Sequence, residues 1–315
     1  MKIVMVNDCA HVGETLIKYL PEEFKVLHLK RSRSFFDKTF RIAWKILRSK
    51  GDVYHVHYLL QDCYLALKFG KHPVIGHAHG TDLRSSLKHK IWGRIVRYNL
   101  ESCEKILVST PDLLSVAREY REDAEYIPNP VDTSVYYPKP HSSRGEKLKV
   151  LIAARCDWKA KGTDKVIRAL SQLGNEVETY IIRYGKDFVR TLNLAEKLGL
   201  KLNVLPKVSH EDVRNYYWSS DVVVASIGAG ALSMVALEAI ACGRPVITYV
   251  SSEYPEYREF PLKDVNTVGK IVEVVKAASN RLWKAEYDYL IRYHEPKVVA
   301  EKVYGIYFGV LNLEK

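Results

Sequence analysis

The sequence predicts an α/β protein with two doubly wound domains, each built on a parallel sheet. Three observations support this prediction. Short β-branched runs alternate with helical patterns along the chain. The length of 315 residues exceeds what one hydrophobic core usually serves. A stretch rich in Pro, Ser, Gly and charge, residues 136–147, separates two such sets and is predicted to be a linker.

Eleven strands are predicted in two groups. The first group is KIVMV, KVLHL, VYHVH, PVIGHA, KILVS and AEYIP, with helices such as TLIKYL and PDLLSVAREY between them. The second is LKVLIAA, VETYIIR, LNVLP, DVVVAS and PVITYV, with helices such as KVIRALSQL and SHEDVRNYYW. Helical crossovers predict parallel pairing. The predicted domains are residues 1–140 and 148–292, followed by a helical segment over 293–315. Ligand is expected in the cleft at the carboxyl ends of the strands.

Composition indicates a globular protein, with 47% hydrophobic and 27% charged residues. The N-terminus turns polar by Asn7 and lacks an apolar run of signal-peptide length, so a cytoplasmic location is expected. The five cysteines are odd in number and scattered, so they are expected to be reduced. No CxxC pair or Cys/His cluster is apparent in the sequence, and no metal site is expected.

The formal net charge of +11 is concentrated in the first half of the chain. Residues 1–150 hold 25 Lys and Arg against 17 Asp and Glu, a net of +8. This excess indicates an anionic partner such as a phosphate-bearing substrate, an anionic lipid or a nucleic acid. No helix-turn-helix, zinc-finger or aromatic-interleaved RNA-binding motif accompanies the charge, which argues against nucleic acid.

The stretch GAGALSMVALEAIACGRPVI, residues 228–247, is apolar for most of its length and carries one acid, Glu238. Together with the preceding DVVVASI it is long enough to cross a bilayer. The pattern nevertheless predicts a strand, a turn at GAG and a helix that ends at Gly243 with Pro245 beyond it. A helix packed on a parallel sheet is apolar nearly all round, so a membrane span is not expected.

The same stretch resembles the signature of glycosyltransferase family 4, GT-B enzymes that transfer a sugar from a nucleotide-sugar. LEAIACGRPVI matches the second half of the family's Glu-x7-Glu motif together with the adjoining Ala-x-Ala-x-Gly-x-Pro-Val-Ile segment. Further landmarks appear in family order: HAHGTDLR at 77–84, YIPNPVDTSVYYP at 126–138, LIAARCDWKAKGTDKVIRAL at 151–170 and YHEPKVVAEKVYGIYFGVL at 293–311. The last resembles the terminal helix that crosses back onto the first domain.

The resemblance implies roles for particular residues. Glu238 would accept hydrogen bonds from the donor's ribose hydroxyls. Arg155 and Lys161 would stabilise the leaving phosphate, together with the helix start at Leu232, Ser233 and Met234. The remaining candidates are His79 as a catalytic group at the cleft, Asp82 beside it, Gly13 for backbone approach to the phosphate, Gly230 at the donor and Lys207 in the nucleobase loop.

The resemblance also implies a reaction class. Such enzymes retain anomeric configuration, and the leaving phosphate takes the acceptor proton, so no protein general base is nominated. The sequence contains no Asp-x-Asp, so no metal or other cofactor is expected. The expected partners are a nucleotide-diphosphate sugar and a glycan or lipid-linked acceptor. The nucleobase, the sugar and the acceptor are not determined by the sequence.

Three departures from the family pattern leave alternatives open. Gly230 stands where the first acid of Glu-x7-Glu would be, Arg183 replaces the first Gly of a Gly-x-Gly, and Pro130 replaces a Gly. The loss of the acid allows a sugar-nucleotide-binding homologue with weak or no transferase activity. A third class, a basic nucleic-acid-binding protein, predicts salt-sensitive binding to DNA or RNA.

The basic excess is densest in residues 28–51, which hold eight Lys and Arg and one acid. Apolar residues recur there at helical spacing: Phe36, Phe40, Ala43, Trp44 and Leu47. One interpretation is a helix that buries Phe36 and Trp44 on the first sheet. The other is a helix on an anionic membrane surface, which would make the protein peripheral at the inner face.

Overall fold

The computed structural model describes residues 1–31, 40–140, 145–278 and 280–312. The chain forms two compact units, Met1–Pro130 with Glu295–Lys315, and Val131–His294. Both are α/β units with one fully parallel sheet, as predicted. All eleven predicted strands are present.

The sheet of the first unit has six strands in the order β2-β1-β3-β4-β5-β6. Their bounds are Lys2–Val6 (β1), Lys25–Leu29 (β2), Val53–His57 (β3), Val74–Ala78 (β4), Lys105–Val108 (β5) and Glu125–Tyr126 (β6). The central strands β3 and β4 are buried on both faces, as expected for a parallel sheet covered by helices. The order reverses direction at β1 and β3, which places a ligand site at the carboxyl ends of these two strands.

The helices within residues 1–130 connect the strands of this sheet. In the described part of the chain they are Val12–Tyr19 (α1), Ile42–Arg48 (α2), Gln61–Lys68 (α3), Thr81–Arg84 (α4), Trp92–Ser102 (α5) and Leu114–Arg118 (α6). The helix α2 buries Ile42 and Ile46, whereas Trp44 is 53% exposed. The interpretation that Trp44 is buried on the sheet is therefore wrong, because the β-branched pair one turn apart forms the inner face instead. Phe36 lies outside the described residues.

The second unit has a five-stranded sheet in the order β11-β10-β7-β8-β9. The strands are Leu148–Ile152 (β7), Val177–Ile182 (β8), Leu202–Leu205 (β9), Val222–Val224 (β10) and Val246–Ile247 (β11). Its helices are Trp158–Lys161 (α7), Thr163–Leu173 (α8), Phe188–Lys197 (α9), Val213–Trp218 (α10), Met234–Ala241 (α11), Val268–Ala277 (α12) and Asn280–Tyr293 (α13). Two apolar clusters pack on opposite faces of this sheet.

The last helix, Pro296–Val310 (α14), belongs to the first unit. Its Tyr307 is buried and its ring contacts Phe24 and His55. Glu295 caps the helix by accepting hydrogen bonds from the amides of Lys297 and Val298, which fixes where it begins.

The boundary between the units lies earlier than the predicted linker at 136–147. The first unit ends at Pro130, and the next residues already belong to the second. Val131 and Tyr136 are buried in an apolar cluster of the second unit, and the Tyr136 hydroxyl donates to the His210 carbonyl at 2.6 Å. Polar composition placed the linker too late because these two side chains, and not the prolines beyond them, anchor the segment.

The apolar stretch with Glu238 folds as the strand, turn and helix that its pattern predicts. Ser233 caps α11 by accepting from the Ala236 amide, and Gly243 follows the helix with φ 86°. Within the described part of the chain, no helix has the length and hydrophobicity to cross a membrane.

Candidate functional site

Two loops at the carboxyl edge of the second sheet are in direct backbone contact. The Ile227 amide, after β10, donates to the carbonyl of Lys161, at the end of α7, at 2.9 Å. A Cβ on Gly228 would lie 2.2 Å from the Ala160 carbonyl oxygen, so only glycine fits there. This contact brings the loop that carries Arg155 and Lys161 next to the segment that leads into α11.

Arg155 is held loosely and reaches solvent. Its side chain is 52% exposed, and Nη2 lies 3.4 Å from the Asp157 carboxylate. Asp157 also accepts from the Ala160 amide and binds Lys186 Nζ at 3.2 Å. Burial raises the pKa of Asp157, but these hydrogen bonds and cations outweigh burial and leave the pKa below its ordinary value. Asp157 therefore orients the loop, while the Arg155 guanidinium remains accessible to an anion.

The start of α11 presents backbone donors at the same edge. Ser233 occupies the N-cap position and Met234 is the first helical residue. The first amides of a helix have no intrahelical acceptor and carry the positive end of the helix dipole. The Leu232 amide donates instead to the Tyr257 hydroxyl at 3.2 Å, and its side chain is buried. Of the three predicted residues, Ser233 and Met234 therefore carry the amides of the helix start, whereas the Leu232 amide is already paired.

Glu238 is a buried carboxyl with two partners that sequence reasoning missed. The Tyr217 hydroxyl donates to one carboxylate oxygen at 2.9 Å. His210 Nδ1 lies 3.6 Å from the other oxygen. Burial raises the pKa of Glu238 to about 8, and the hydrogen bond from Tyr217 offsets only part of this shift. The aromatic-rich VRNYYW helix was the available signal, because Tyr217 lies on it.

The departure at Gly230 is built into the fold. Gly230 has φ 67°, and a Cβ on it would lie 3.2 Å from both Ser251 Cβ and the Tyr249 ring. An acid here would therefore adopt a strained backbone conformation and would crowd two side chains from the segment after β11. Gly185 shows a similar close approach, because a Cβ there would lie 2.4 Å from the Cys156 carbonyl oxygen.

Lys207 lies just beyond β9, at the edge where the predicted nucleobase loop would be. Its Nζ is 5.7 Å from the centroid of the Tyr184 ring. The Tyr184 hydroxyl donates to the Ala153 carbonyl at 3.0 Å, and burial raises its pKa to about 12. Tyr184 is thus a fixed neutral phenol between the loops after β7 and β9.

In the first unit, Asp82 is bound entirely by backbone. Its carboxylate accepts hydrogen bonds at 2.8–3.3 Å from four amides, those of Leu59, His79, Gly80 and Leu83. The side chain is fully buried. Its position makes it a residue that fixes the loop after β4 rather than one that faces a substrate.

Gly13 is likewise engaged locally. Its amide donates to Asp8 at 2.8 Å, and a Cβ would lie 3.0 Å from His57 Nε2. Gly13 is the second residue of α1, so the glycine allows the start of this helix to lie against a histidine. Because its amide is already paired with a carboxylate, it does not offer that donor to a phosphate.

His79 is one of four histidines that β3 and β4 bring together. His57 Nδ1 lies 2.7 Å from His79 Nε2, and His55 Nε2 lies 3.1 Å from His77 Nδ1. Burial lowers the pKa of all four imidazoles, that of His79 to about 3. The ring nitrogens of His55, His57 and His77 lie within 4.8 Å of one another, which makes them a possible ligand set for a metal.

The sequence carried a signal for this cluster that was overlooked. Two His-x-His patterns stand at the ends of neighbouring strands, and alternation places both pairs on one face. The Tyr307 hydroxyl also lies 2.7 Å from His55 Nδ1. Three ring–ring and ring–hydroxyl pairs link the four histidines and Tyr307, His57 Nε2 faces the Met5 sulfur at 3.1 Å, and His77 Nε2 is buried without a hydrogen-bond partner among the described residues. Because burial lowers the pKa of every ring, we interpret the cluster as a neutral, largely hydrogen-bonded network.

Comparison with known proteins gives two family matches. Residues 11–135 match the model described as Glycosyltransferase Family 4, and residues 137–259 match Glycosyl transferases group 1. The chain is 24% identical over 216 residues to N-acetyl-alpha-D-glucosaminyl L-malate synthase of Bacillus anthracis, covering 64% of this chain and 57% of that protein. It is 31% identical over 140 residues to lipopolysaccharide glucosyltransferase WaaG of Escherichia coli K12, covering 44% and 36%.

A solved structure agrees on the fold. The crystal structure of Anabaena Alr3699/HepE in complex with UDP superposes with a TM-score of 0.75 at 12% identity, covering 98% of this chain and 100% of that one. At this identity the likeness concerns the GT-B fold alone. The two family matches together span residues 11–135 and 137–259, so the chain belongs to the glycosyltransferases of family 4 type.

Proposed function

We propose that this protein is a retaining, metal-independent glycosyltransferase that uses a nucleotide-diphosphate sugar. The observation that carries the proposal is the backbone contact between the Arg155–Lys161 loop and the segment leading into α11. It joins two cationic side chains to a helix N-terminus at one edge of a parallel sheet. Such an edge is where α/β sheets bind ligands, and this combination suits a diphosphate.

The proposed chemistry needs little from the protein beyond charge stabilisation and positioning. The acceptor hydroxyl oxygen bonds to the anomeric carbon while the bond from that carbon to the diphosphate oxygen breaks. The hydroxyl proton passes to the leaving phosphate, so the atoms balance without a protein base. Arg155, Lys161 and the α11 amides would stabilise the charge that develops on the diphosphate. Glu238, about one turn after the first residue of α11, would accept hydrogen bonds from the ribose hydroxyls.

A binding protein with weak or no transferase activity is the second candidate. The position of Gly230 favours it, since a side chain there would be strained at φ 67° and its Cβ would lie only 3.2 Å from Tyr249 and Ser251. Both candidates predict nucleotide-sugar binding, and they differ only in turnover.

The decisive experiment is a thermal-shift screen against UDP-, GDP-, ADP- and CMP-sugars. A ligand that binds only the folded state raises the melting temperature, so at least one donor should do so. Product analysis by NMR with the stabilising donor then distinguishes transfer with retained configuration from binding alone. If no nucleotide-sugar or nucleoside diphosphate raises the melting temperature, the proposal fails.

We further propose that the first unit docks on an anionic membrane through α2. Phe40, Trp44 and Leu47 are 71%, 53% and 50% exposed beside Arg41 and Arg48, and the Arg48 guanidinium lies 4.3 Å from the Trp44 ring centroid. Phe40 and Arg41 directly precede α2, and Trp44, Leu47 and Arg48 lie on it. Exposed aromatic and basic side chains grouped in this way are typical of interfacial binding.

A further inference from the structure

A cavity of about 300 Å³ lies at the carboxyl edge of the first unit's sheet, and its wall includes none of the residues proposed to bind the diphosphate or the ribose. Its wall includes Asn7 after β1, His57 and Tyr58 at the end of β3, and Asp62 in α3. This is the edge at which the strand order reverses. The volume is at the lower end of the range for ligand pockets, so it suits one small ring rather than a chain.

An ion pair between the half-buried Arg31 and the buried Asp62 forms one side of the cavity. Arg31 donates from Nε and Nη2 to the two oxygens of Asp62 at 2.7 and 2.6 Å, and Asp62 is 2% exposed. The positive and negative charges cancel, and burial keeps the His57 imidazole neutral by lowering its pKa. The cavity therefore has polar walls without a net charge.

Several polar groups facing this cavity have capacity to spare. Within residues 1–31, 40–140, 145–278 and 280–312, the Asn7 amide side chain and the Thr81 hydroxyl have no hydrogen-bond partner. The same holds for Arg31 Nη1, and each Asp62 oxygen accepts only the one bond from Arg31. These groups offer donors and acceptors side by side. Leu60 supplies the apolar part of the wall.

The backbone around the cavity is held in an unusual conformation. Asn7 and Tyr58 have φ 66° and 69°, a region that non-glycine residues rarely adopt. The Tyr58 amide donates to the His77 carbonyl at 2.8 Å, and its hydroxyl donates to Cys9 Sγ at 2.8 Å. Backbone strain that is fixed by its surroundings clusters at ligand sites, and here it shapes two walls of one pocket.

We propose that this cavity binds the acceptor, and that the acceptor presents an uncharged polyhydroxylated ring, a single sugar or a cyclic polyol. The acceptor role rests on the proposed glycosyltransferase function. Arg31 Nη1 donates to one ring hydroxyl while the free lone pairs of Asp62 accept from its neighbour. A vicinal diol both donates and accepts, so it matches a guanidinium–carboxylate pair without breaking it.

An anionic acceptor fits this cavity poorly. A phosphate or carboxylate would have to compete with Asp62 for Arg31 and would then lie next to the buried Asp62 charge. Like charges at hydrogen-bonding distance repel strongly in a partly buried site. The charge pattern thus favours a neutral hydroxyl compound over a sugar phosphate or a dicarboxylate.

The test is ligand-observed saturation-transfer NMR on the full chain. The neutral probes are methyl α-D-glucopyranoside, methyl α-D-mannopyranoside, methyl β-D-galactopyranoside and myo-inositol, and the anionic probes are L-malate and glucose 6-phosphate. At least one neutral probe should bind, and Asp62→Asn should weaken it by about tenfold or more, the scale of a lost charged hydrogen bond.

A matched control comes from a second bidentate pair in the same unit. Asp112 accepts from Arg84 Nε and Nη2 at 2.6 and 2.8 Å and does not line the cavity, so Asp112→Asn should leave the Kd within about twofold. If Asp62→Asn does not fold, the exposed Thr81→Val decides, with an expected weakening of about threefold.

The proposal is overturned if no neutral probe binds, if only the anions bind, or if the folded cavity variant binds the neutral probe as tightly as the wild type. Nucleoside diphosphate binding is measured on the same samples. Neutral-sugar binding without any nucleotide binding would leave the cavity assignment intact and overturn the proposed function instead.

Discussion

Glu238 is a single carboxyl on an apolar helix, and its neighbours determine its protonation. Its pKa of about 8 means that the acid is mostly neutral at pH 7, because burial penalises the charged form more than Tyr217 stabilises it. Ribose hydroxyls that donate to this group favour the ionised form. Binding of the nucleotide is therefore expected to release a proton.

This coupling gives the first prediction. Wild-type affinity for the nucleoside diphosphate should rise from pH 7 to pH 9, whereas Glu238→Gln should show little change over that range. At pH 9 the variant should bind about 1–3 kcal/mol more weakly, measured by isothermal titration calorimetry. Glu286→Gln is the control, because Glu286 is another buried acid, bound to the Val246 amide, and should keep the wild-type profile. If Glu238→Gln binds the nucleotide normally but has a much lower melting temperature, the carboxyl has a structural role and does not bind the ribose.

Gly230 allows a second prediction at this scale. Gly230→Ala should destabilise the fold by about 1–2 kcal/mol, because alanine at φ 67° is strained and its Cβ meets Ser251 and Tyr249. Urea unfolding measures this, and Gly269→Ala in α12, where a Cβ meets nothing within 4 Å, should be neutral or slightly stabilising. Gly230→Glu should not raise turnover. An active, stable Gly230→Glu protein would contradict the steric argument.

At the scale of elements, the loop with α7 acts as a unit with the segment before α11. Gly228 and Gly162 permit the contact, since a Cβ on Gly162 would lie 3.3 Å from Ile227 and Gly162 has φ 65°. The loop therefore carries Arg155 and Lys161 on a fixed backbone, which is the arrangement that charge stabilisation needs.

The third prediction concerns these two cations. Arg155→Ala and Lys161→Ala should each lower turnover by roughly two to four orders of magnitude, as expected when a charge-stabilising group is lost. Steady-state kinetics with the donor found in the screen measures this. Lys159→Ala is the matched control, because Lys159 is an exposed cation on the same short helix, and should stay within about threefold. Near-normal turnover in both site variants would place the leaving group elsewhere.

The fourth prediction concerns α2 and membrane docking. A variant with Arg41, Lys45 and Arg48 changed to Gln should lose most pelleting with anionic vesicles, since each cation contributes about 1 kcal/mol near such a surface. Trp44→Ser should also weaken pelleting, and by a similar factor at low and high salt, because it removes an apolar contact and no charge. Arg31 is excluded from the set, because it is paired with Asp62.

Sedimentation at low and high salt provides the readout for that prediction. Changing Lys276, Arg281 and Lys284 of the second unit to Gln gives a control with the same charge loss on other helices, and it should pellet like the wild type. If the wild type stays in the supernatant with anionic vesicles at low salt, the docking proposal is wrong.

For the whole molecule, the four-histidine network predicts how stability depends on pH. Burial lowers the folded-state pKa of His55, His57, His77 and His79, while the unfolded value is about 6.5. Between those values the unfolded chain binds more protons. The stability contribution of the network is thus fully present above about pH 6.5 and is lost as pH falls toward 3.

The fifth prediction is a steep acid loss of stability in the first unit. Each histidine lowers the free energy of unfolding by up to about 1.4 kcal/mol per pH unit in that window. The melting temperature measured by calorimetry should therefore fall sharply from pH 6.5 to pH 5. His77→Gln should make the slope shallower, whereas His89→Gln, at an exposed position, should not change it. A melting profile that is flat over this range would show that the cluster is already protonated or hydrated in the folded state.

Much of this molecule could be predicted from local sequence patterns. The strands, the parallel pairing and the α11 turn arise from the period of apolar residues and from glycine and proline at helix ends, and the structure confirms them. The linker was predicted at 136–147, beyond the boundary at Pro130, because the boundary depends on which side chains are buried, as Val131 and Tyr136 are. The outward Trp44 was open between two interpretations for the same reason.

By itself the sequence determined the fold class, the family resemblance and the order of the candidate residues, because these depend on neighbours in the chain. Only the tertiary structure decided their surroundings. It placed Tyr217 and His210 against Glu238, crowded the space at Gly230, joined two His-x-His pairs into one network, and paired Arg31 with Asp62 beside a cavity. The physical reason is that protonation, available space and free hydrogen-bonding capacity depend on contacts between residues that are far apart in sequence.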